Sequence, residues 1–331
     1  MISAKESTHK IKKRSLLIGL FVFLLLAMIQ RWMTESANDY IDKGNSKLAS
    51  GDYNGALRDY YYADTLDDSR EASYLAKVRR GEIFLEFGKY DEAEKELAEA
   101  IKEERRRYEA HELLGDLYGK KRDFDKALNY YNNAIQYNNG SGAALSIGIK
   151  RARMFMRKGE TDLASYVLKN LYSQAPKGNE NKELLFYLGI LEFDKNISSN
   201  AYLDKLRSDD GYKWKIEKMD SFIGTYDSSH GDVFNNIMVA SFYNSIGEPY
   251  LAIIRAKKAI NADSSYRDAW ITLGKSHFIT EDYSASLDDL AKALKLDGHN
   301  GETFFRIGSV FSKIGNEKLA KEYFSRYEIF R

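Results

Sequence analysis

The sequence predicts an all-α fold: a solenoid of helix-turn-helix units preceded by one transmembrane helix. Three observations predict it. A small residue recurs from Gly44 to Gly308 at intervals of 34 to 37 positions, with one interval of 51. A second small residue follows each of these by twelve, with aromatics held in the same register. An unbroken apolar run, Leu16 to Ile29, stands alone at the start of an otherwise polar chain.

The N-terminal run comes first. Its fourteen residues are short for a membrane span of about 20 and match the core of a cleaved signal. Its flanks lengthen it, because Arg14 and Arg31 can snorkel and Trp32 suits the membrane interface. No small-x-small cleavage site follows, since Ala27 is preceded two places earlier by Leu25 and Ala37 by Glu35. The expectation is an uncleaved signal anchor over 15–33, with cleavage and release as the alternative. Lys10, Lys12, Lys13 and Arg14 precede the run, and Arg31 after it is balanced by Glu35, Asp39 and Asp42. The positive-inside rule then keeps residues 1–14 as a cytoplasmic tail and sends the bulk across the membrane.

Beyond it, Gly44, Gly81, Gly115, Ala152, Gly189, Ala240, Gly274 and Gly308 align, and Ala56, Ala93, Ala127, Ala164, Ala201, Ala252, Ser286 and Ala320 follow at twelve. Tyr60, Tyr131 and Phe324 fall sixteen after the first small residue. Glycines at 51, 88, 159, 247 and 315 share one place between the two small positions. Each unit therefore reads as helix, short turn, helix, with small residues where the helices approach and aromatics filling the space beside them. One such unit cannot bury its apolar face alone, so the units must stack.

HELLGDLYGKKRDFDKALNYYNNAI, His111 to Ile135, and AWITLGKSHFITEDYSASLDDLAKAL, with Trp270 leading, resemble the tetratricopeptide repeat. The resemblance implies a right-handed superhelix, with units one to five over 37–208 and units six to eight over 232–331. Unit five departs from the pattern. It lacks the turn glycine and sets Lys205 and Ser208 where an aromatic and an alanine are usual. Residues 209–231 carry Tyr212, Ile216, Met219, Phe222, Ile223 and Tyr226 on one helical face. They read as an extra amphipathic helix, or as unit five's second helix drawn long.

Enzyme chemistry finds no footing in these residues. There is no cysteine, and 50 basic residues face 49 acidic, a net charge of +1 that offers nucleic acid no field. The five histidines, His9, His111, His230, His277 and His299, lack metal-ligand spacing. The pairs Asp67–Asp68, Asp209–Asp210 and Asp288–Asp289 read as caps or solvated charge. No phosphate-loop, dinucleotide, nucleophile-elbow or zinc-helix motif occurs, so no cofactor, metal or small-molecule substrate is expected.

The resemblance implies a concave groove lined by the first helices, suited to a peptide or partner helix. Its positions here are Val78, Glu82 and Leu85; Glu109, Glu112 and Asp116; Ile149, Arg153, Met156 and Arg157; Phe186, Ile190 and Phe193; Phe234, Ile237 and Asn244; Ile271, Lys275 and Phe278; Phe305 and Lys313. The carboxylate clamp of some family members is incomplete. Asn45 stands in a clamp place, but Ile41 replaces its lysine and Arg79 its second asparagine. The expectation is a non-enzymatic scaffold in a bacterial cell envelope, anchored in the inner membrane with its repeats periplasmic and open to multi-copy assembly. An organelle receptor, a chaperone-like adaptor and a tether for a separate enzyme are the alternatives.

Overall fold

The computed structural model describes residues 21, 23–25, 36–66, 69–138, 142–175 and 181–331, and among them all regular structure is helical. The anchor residues Arg14, Leu16, Ile29, Arg31 and Trp32 lie outside the described residues. Phe21, Phe23, Leu24 and Leu25 are helical and exposed. No helix of the described residues is long and apolar enough to cross a membrane.

The chain forms two compact units that divide between Ala144 and Leu145. The first holds three helix pairs: α1 (Ala37–Ala49) with α2 (Tyr53–Thr65), α3 (Arg70–Glu86) with α4 (Tyr90–Glu103), and α5 (Tyr108–Lys120) with α6 (Phe124–Tyr137). Ser36 opens α1 with a capping box, its hydroxyl accepting from the Asp39 amide while the Asp39 carboxylate accepts from the Ser36 amide at 2.7 Å.

Every pair except the fifth closes through the same turn. Seven residues after the first small residue the backbone turns left-handed, at φ 81° for Gly51 and 69° for Gly88. The next residue's amide then donates back to the last turn of the first helix, as Asp52 does to the Lys47 carbonyl at 2.9 Å, and Asp52 caps α2 by accepting from the Gly55 amide. Two repeats take this turn without glycine, at Arg122 (φ 64°) and Glu281 (φ 62°).

The small residues sit where the sequence requires them. A Cβ placed on Gly115 meets the Tyr131 ring at 2.5 Å, and one on Gly44 meets Tyr60 at the same distance. Each phenol crosses the glycine and donates to the residue beside it, Tyr131 to Asp116 at 2.6 Å and Tyr60 to Asn45 at 2.9 Å. A buried charge cluster joins the first two pairs: Arg80, 2% exposed, binds Glu96 and Asp64, both at 2.9 Å, while Lys77 also reaches Asp64.

The second unit runs α7 (Ala144–Lys158), α8 (Thr161–Gln174), α9 (Lys182–Lys195), α10 (Ala201–Asp204), α11 (Lys213–Thr225), α12 (Asp232–Ser245), α13 (Pro249–Ala262), α14 (Arg267–Ile279), α15 (Tyr283–Leu296), α16 (Gly301–Lys313) and α17 (Glu317–Phe330). Unit five keeps only one turn of its second helix. α10 starts at Ala201 itself, so Leu203, and not Lys205, is the residue that packs on Gly189, 2.6 Å from a Cβ placed there. The register is two residues early because Asn200 caps α10, accepting from the Tyr202 and Leu203 amides and donating to the Gly189 carbonyl.

α11 is a helix of its own, separate from α10. Ile216 and Met219 are buried, and Tyr212, Phe222, Ile223 and Tyr226 pack on one continuous core that runs from Ile149 to Leu273. The compact units divide at 144 and not at the extra segment, and α11 joins units five and six by setting Phe222 against Phe193 and Phe242.

Two stability changes follow. Gly115→Ala should lower unfolding free energy by about 1–2 kcal/mol despite gaining about 1 kcal/mol of helix propensity, since the methyl overpacks a buried ring. Glu281→Gly should raise it by about 0.5–1 kcal/mol by relieving the left-handed turn. Urea titrations of each variant with unchanged slope check both.

Candidate functional site

The first helices present the side chains that the repeat register assigns to a groove, and the structure sorts them into three groups. Val78, Leu85, Ile149, Met156 and Ile271 are buried between neighbouring helices. Asn244 is also buried, donating to the Ser276 hydroxyl at 2.9 Å. Of these six, Met156 reaches a cleft, the one bordered by Arg153 and Arg157.

Phe186, Ile190 and Phe193 on α9 are core residues, at most 2% exposed. The chain itself covers this stretch of the first-helix face. Tyr212 packs on the Phe186 ring at 5.0 Å, the Lys215 ammonium sits over it at 4.5 Å, and Phe222 lies 6.3 Å from Phe193 while stacking on Phe242 at 4.5 Å. Lys215 also pairs with Glu248 at 3.1 Å, whose carboxyl burial pushes above the usual range. On α7, Arg153 lies 3.4 Å from Glu183, and Arg157 stacks over Tyr250 at 5.0 Å. These arginines border a cleft of about 200 Å³ whose lining includes Gly247, Glu248 and the first residues of α13.

The acidic positions of the first compact unit are engaged in structure. Glu82 pairs with Arg79 at 2.8 Å. Glu109 accepts from Arg107 at 2.8 Å and from the Tyr74 hydroxyl at 3.1 Å, and the Arg107 bond helps hold its carboxyl below the usual range against the opposing effect of burial. Asp116 accepts from Tyr131, and Glu112 is partly exposed on the same helix. In the clamp places, Asn45 is held by Tyr60 and Ile41 is buried.

The remaining positions converge. Lys275 and Phe278 from α14 meet Phe305 and Lys313 from α16 around a cleft of about 350 Å³, whose other lining includes Arg306, Ser309, Ser312 and Phe324. Phe305 is 43% exposed, and Phe324 forms the floor by packing on Gly308. Arg306 shares its charge with Glu302 at 2.8 Å. Among the described residues neither Lys275 nor Lys313 has an ion pair or a hydrogen bond. Burial, then the neighbouring Arg306, pulls the Lys275 ammonium below its ordinary pKa. Upstream, Phe234 is exposed and Ile237 partly buried on α12.

Sequence reasoning missed Arg306, which obeys no groove position. It passed over Ser309 and Ser312, which do occupy groove positions but carry small side chains of no distinctive chemistry. It also misread Asp289. That carboxylate is buried and lies 2.6 Å from His277 Nδ1, so it anchors a histidine inside the α14–α15 pair and is not solvated. Among the described residues no group of three or more His, Asp or Glu is placed to hold a metal ion.

Residues 37–108 and 78–144 match the tetratricopeptide repeat family model. Together the two matches span residues 37–144, about a third of the chain. The chain is 24% identical over 291 residues to DnaJ homolog subfamily C member 3 of Gallus gallus, covering 88% of this chain and 48% of that protein. It is 26% identical over 269 residues to BBSome complex member BBS4 of Bos taurus, covering 76% and 50%. The chain thus spans about half the length of the curated relatives it matches. A solved tetratricopeptide repeat protein from Parabacteroides merdae aligns with 88% of this chain and 98% of its own, at 15% identity and a TM-score of 0.45.

The unpaired lysine leaves a measurable trace. Lys275→Met should raise the thermal unfolding midpoint, because it keeps the buried stem and removes a half-buried charge with no counter-ion. Differential scanning calorimetry near neutral pH reads the change.

Proposed function

We propose that this chain is a non-enzymatic scaffold that binds protein partners through the open part of its first-helix face and is held at a membrane by residues 15–33. The observation that carries the reading is the cleft between α14 and α16, where two cations without partners and exposed aromatic surface stand together. Such a combination is stable in water but leaves binding free energy unspent, as interaction surfaces do.

Supporting the anchor are the basic residues before the apolar run and Trp32 after it, which favour an N-in orientation. Anchoring raises the effective concentration of the repeats near a membrane partner without any new contact. On this reading the protein positions components of a bacterial cell-envelope assembly of secretion, pilus or flagellar-motor type, with its repeats in the periplasm. Cleavage of the run, with release to the periplasm, is the alternative to permanent anchoring.

A photo-crosslinking residue placed at Phe305, in the full chain expressed in its native membrane, tests the partner claim. The expected result is covalent capture of envelope proteins, with the repeats digested by protease only after the outer face of the membrane is opened to it. Capture of soluble cytosolic chaperones alone overturns the envelope reading. N-terminal sequencing of the mature protein tests the anchor, since a chain starting near Asn38 means the run was removed.

A further inference from the structure

We propose that the α14–α16 cleft takes an acidic linear peptide, with one bulky apolar side chain seated against Phe278 and Phe305 and carboxylates on either side meeting Lys275 and Lys313. This rests on the reading that the open first-helix face binds partners, and it specifies what kind of segment binds.

Charge is the first argument. None of the residues lining the cleft is acidic, and the nearby carboxylate, Glu302, forms its ion pair with Arg306 and reaches Lys275 only through space. Lys275 is half-buried with no ion pair or hydrogen bond, so an incoming carboxylate meets a cation that has already lost part of its hydration. A charge-assisted bond there replaces little water and gains most of its strength.

Geometry narrows the ligand. Lys275 and Lys313 project from different helices into one cleft, so acidic side chains on either side of an apolar anchor can each meet a lysine. The volume of about 350 Å³ lies at the small end of ligand pockets, which run from about 300 to 1,000 Å³, and suits one or two side chains of a peptide. Phe305 at the mouth and Phe278 inside give an apolar anchor two aromatic faces. A nucleic-acid strand needs a longer basic track than three cations, on a chain whose net charge is +1.

The test uses the full chain in mild detergent and a fluorescein-labelled peptide, capped at both ends, with two glutamates before and two aspartates after a Leu-Phe pair. Anisotropy should show binding that weakens as salt rises, and a Gln/Asn version of the peptide should bind at least tenfold more weakly. Lys275→Gln and Lys313→Gln should each weaken binding about fivefold, and Phe305→Ala about tenfold, with circular dichroism unchanged. Equal binding of the acidic and amide peptides, wild-type affinity in both lysine variants, or displacement by inorganic phosphate or a single-stranded oligonucleotide at equal concentration overturns the proposal.

Crosslinking separates this inference from the reading beneath it. If Phe305 captures a partner that the acidic peptide does not compete away, the ligand class is wrong and the groove reading stands. If Phe305 captures nothing, the groove reading itself falls.

Discussion

Everything in this fold depends on how closely the two helices of a repeat can approach, and that distance is set by a small residue beneath the side chain packed across it. That side chain is a ring at Gly44, Gly115 and Gly308 and a leucine at Gly81, Gly189 and Gly274. At Gly44 and Gly115 a methyl group has no room, because Tyr60 and Tyr131 already occupy it. Glycine costs about 1 kcal/mol in a helix interior relative to alanine. A tyrosine that removes about 150–250 Å² from water returns several times that at about 25 cal/mol/Å². The ring wins. Its hydroxyl then fixes the register by donating to the residue next to the glycine, so the contact specifies alignment as well as distance. Where the first small residue is alanine, the partner at the same offset is Leu168 or Ala256, and the pair closes on aliphatic surface.

Once the pairs are fixed, the fate of the first-helix side chains differs along the second compact unit. Over α9 they are covered. α11 lays Tyr212 and Phe222 on Phe186 and Phe193, in the manner of a groove ligand supplied by the chain itself. Such large apolar groups, left open together, make a patch that a soluble domain rarely tolerates. Over α14 and α16 no segment of the described residues arrives, and the side chains there are the ones that tolerate water: lysines, serines and a phenylalanine flanked by Arg306. The same sequence rule thus marks positions with opposite destinies.

Charge follows the same division. In the first compact unit Arg80 is buried among Glu96, Asp64 and the Tyr60 carbonyl, and removing both carboxylates strands a cation. Breaking such a buried pair costs about 3–5 kcal/mol even when forming it contributes little. That cluster is committed to structure. Lys275 carries the same type of charge without an ion pair or hydrogen bond.

The separation of α11 from α10 is seen only in the structure, whereas the sequence by itself determined the period, the helix-turn-helix unit and the positions of the turn glycines. Those features rest on local chemistry: a left-handed residue, a small residue, a cap and a ring at fixed offsets. It also placed Lys275, Phe278, Phe305 and Lys313 on one face, since repeat register carries side-chain direction. Which groove positions stay open was decided only by tertiary structure. Phe186 and Phe305 look alike in sequence, but one is buried beneath α11, which folds back from residues far along the chain, and the other faces water. The two-residue shift that brings Leu203 onto Gly189, and the burial of Asp289 beside His277, were hidden for the same reason. Each depends on what packs against a position, and a periodic pattern records only where the position points.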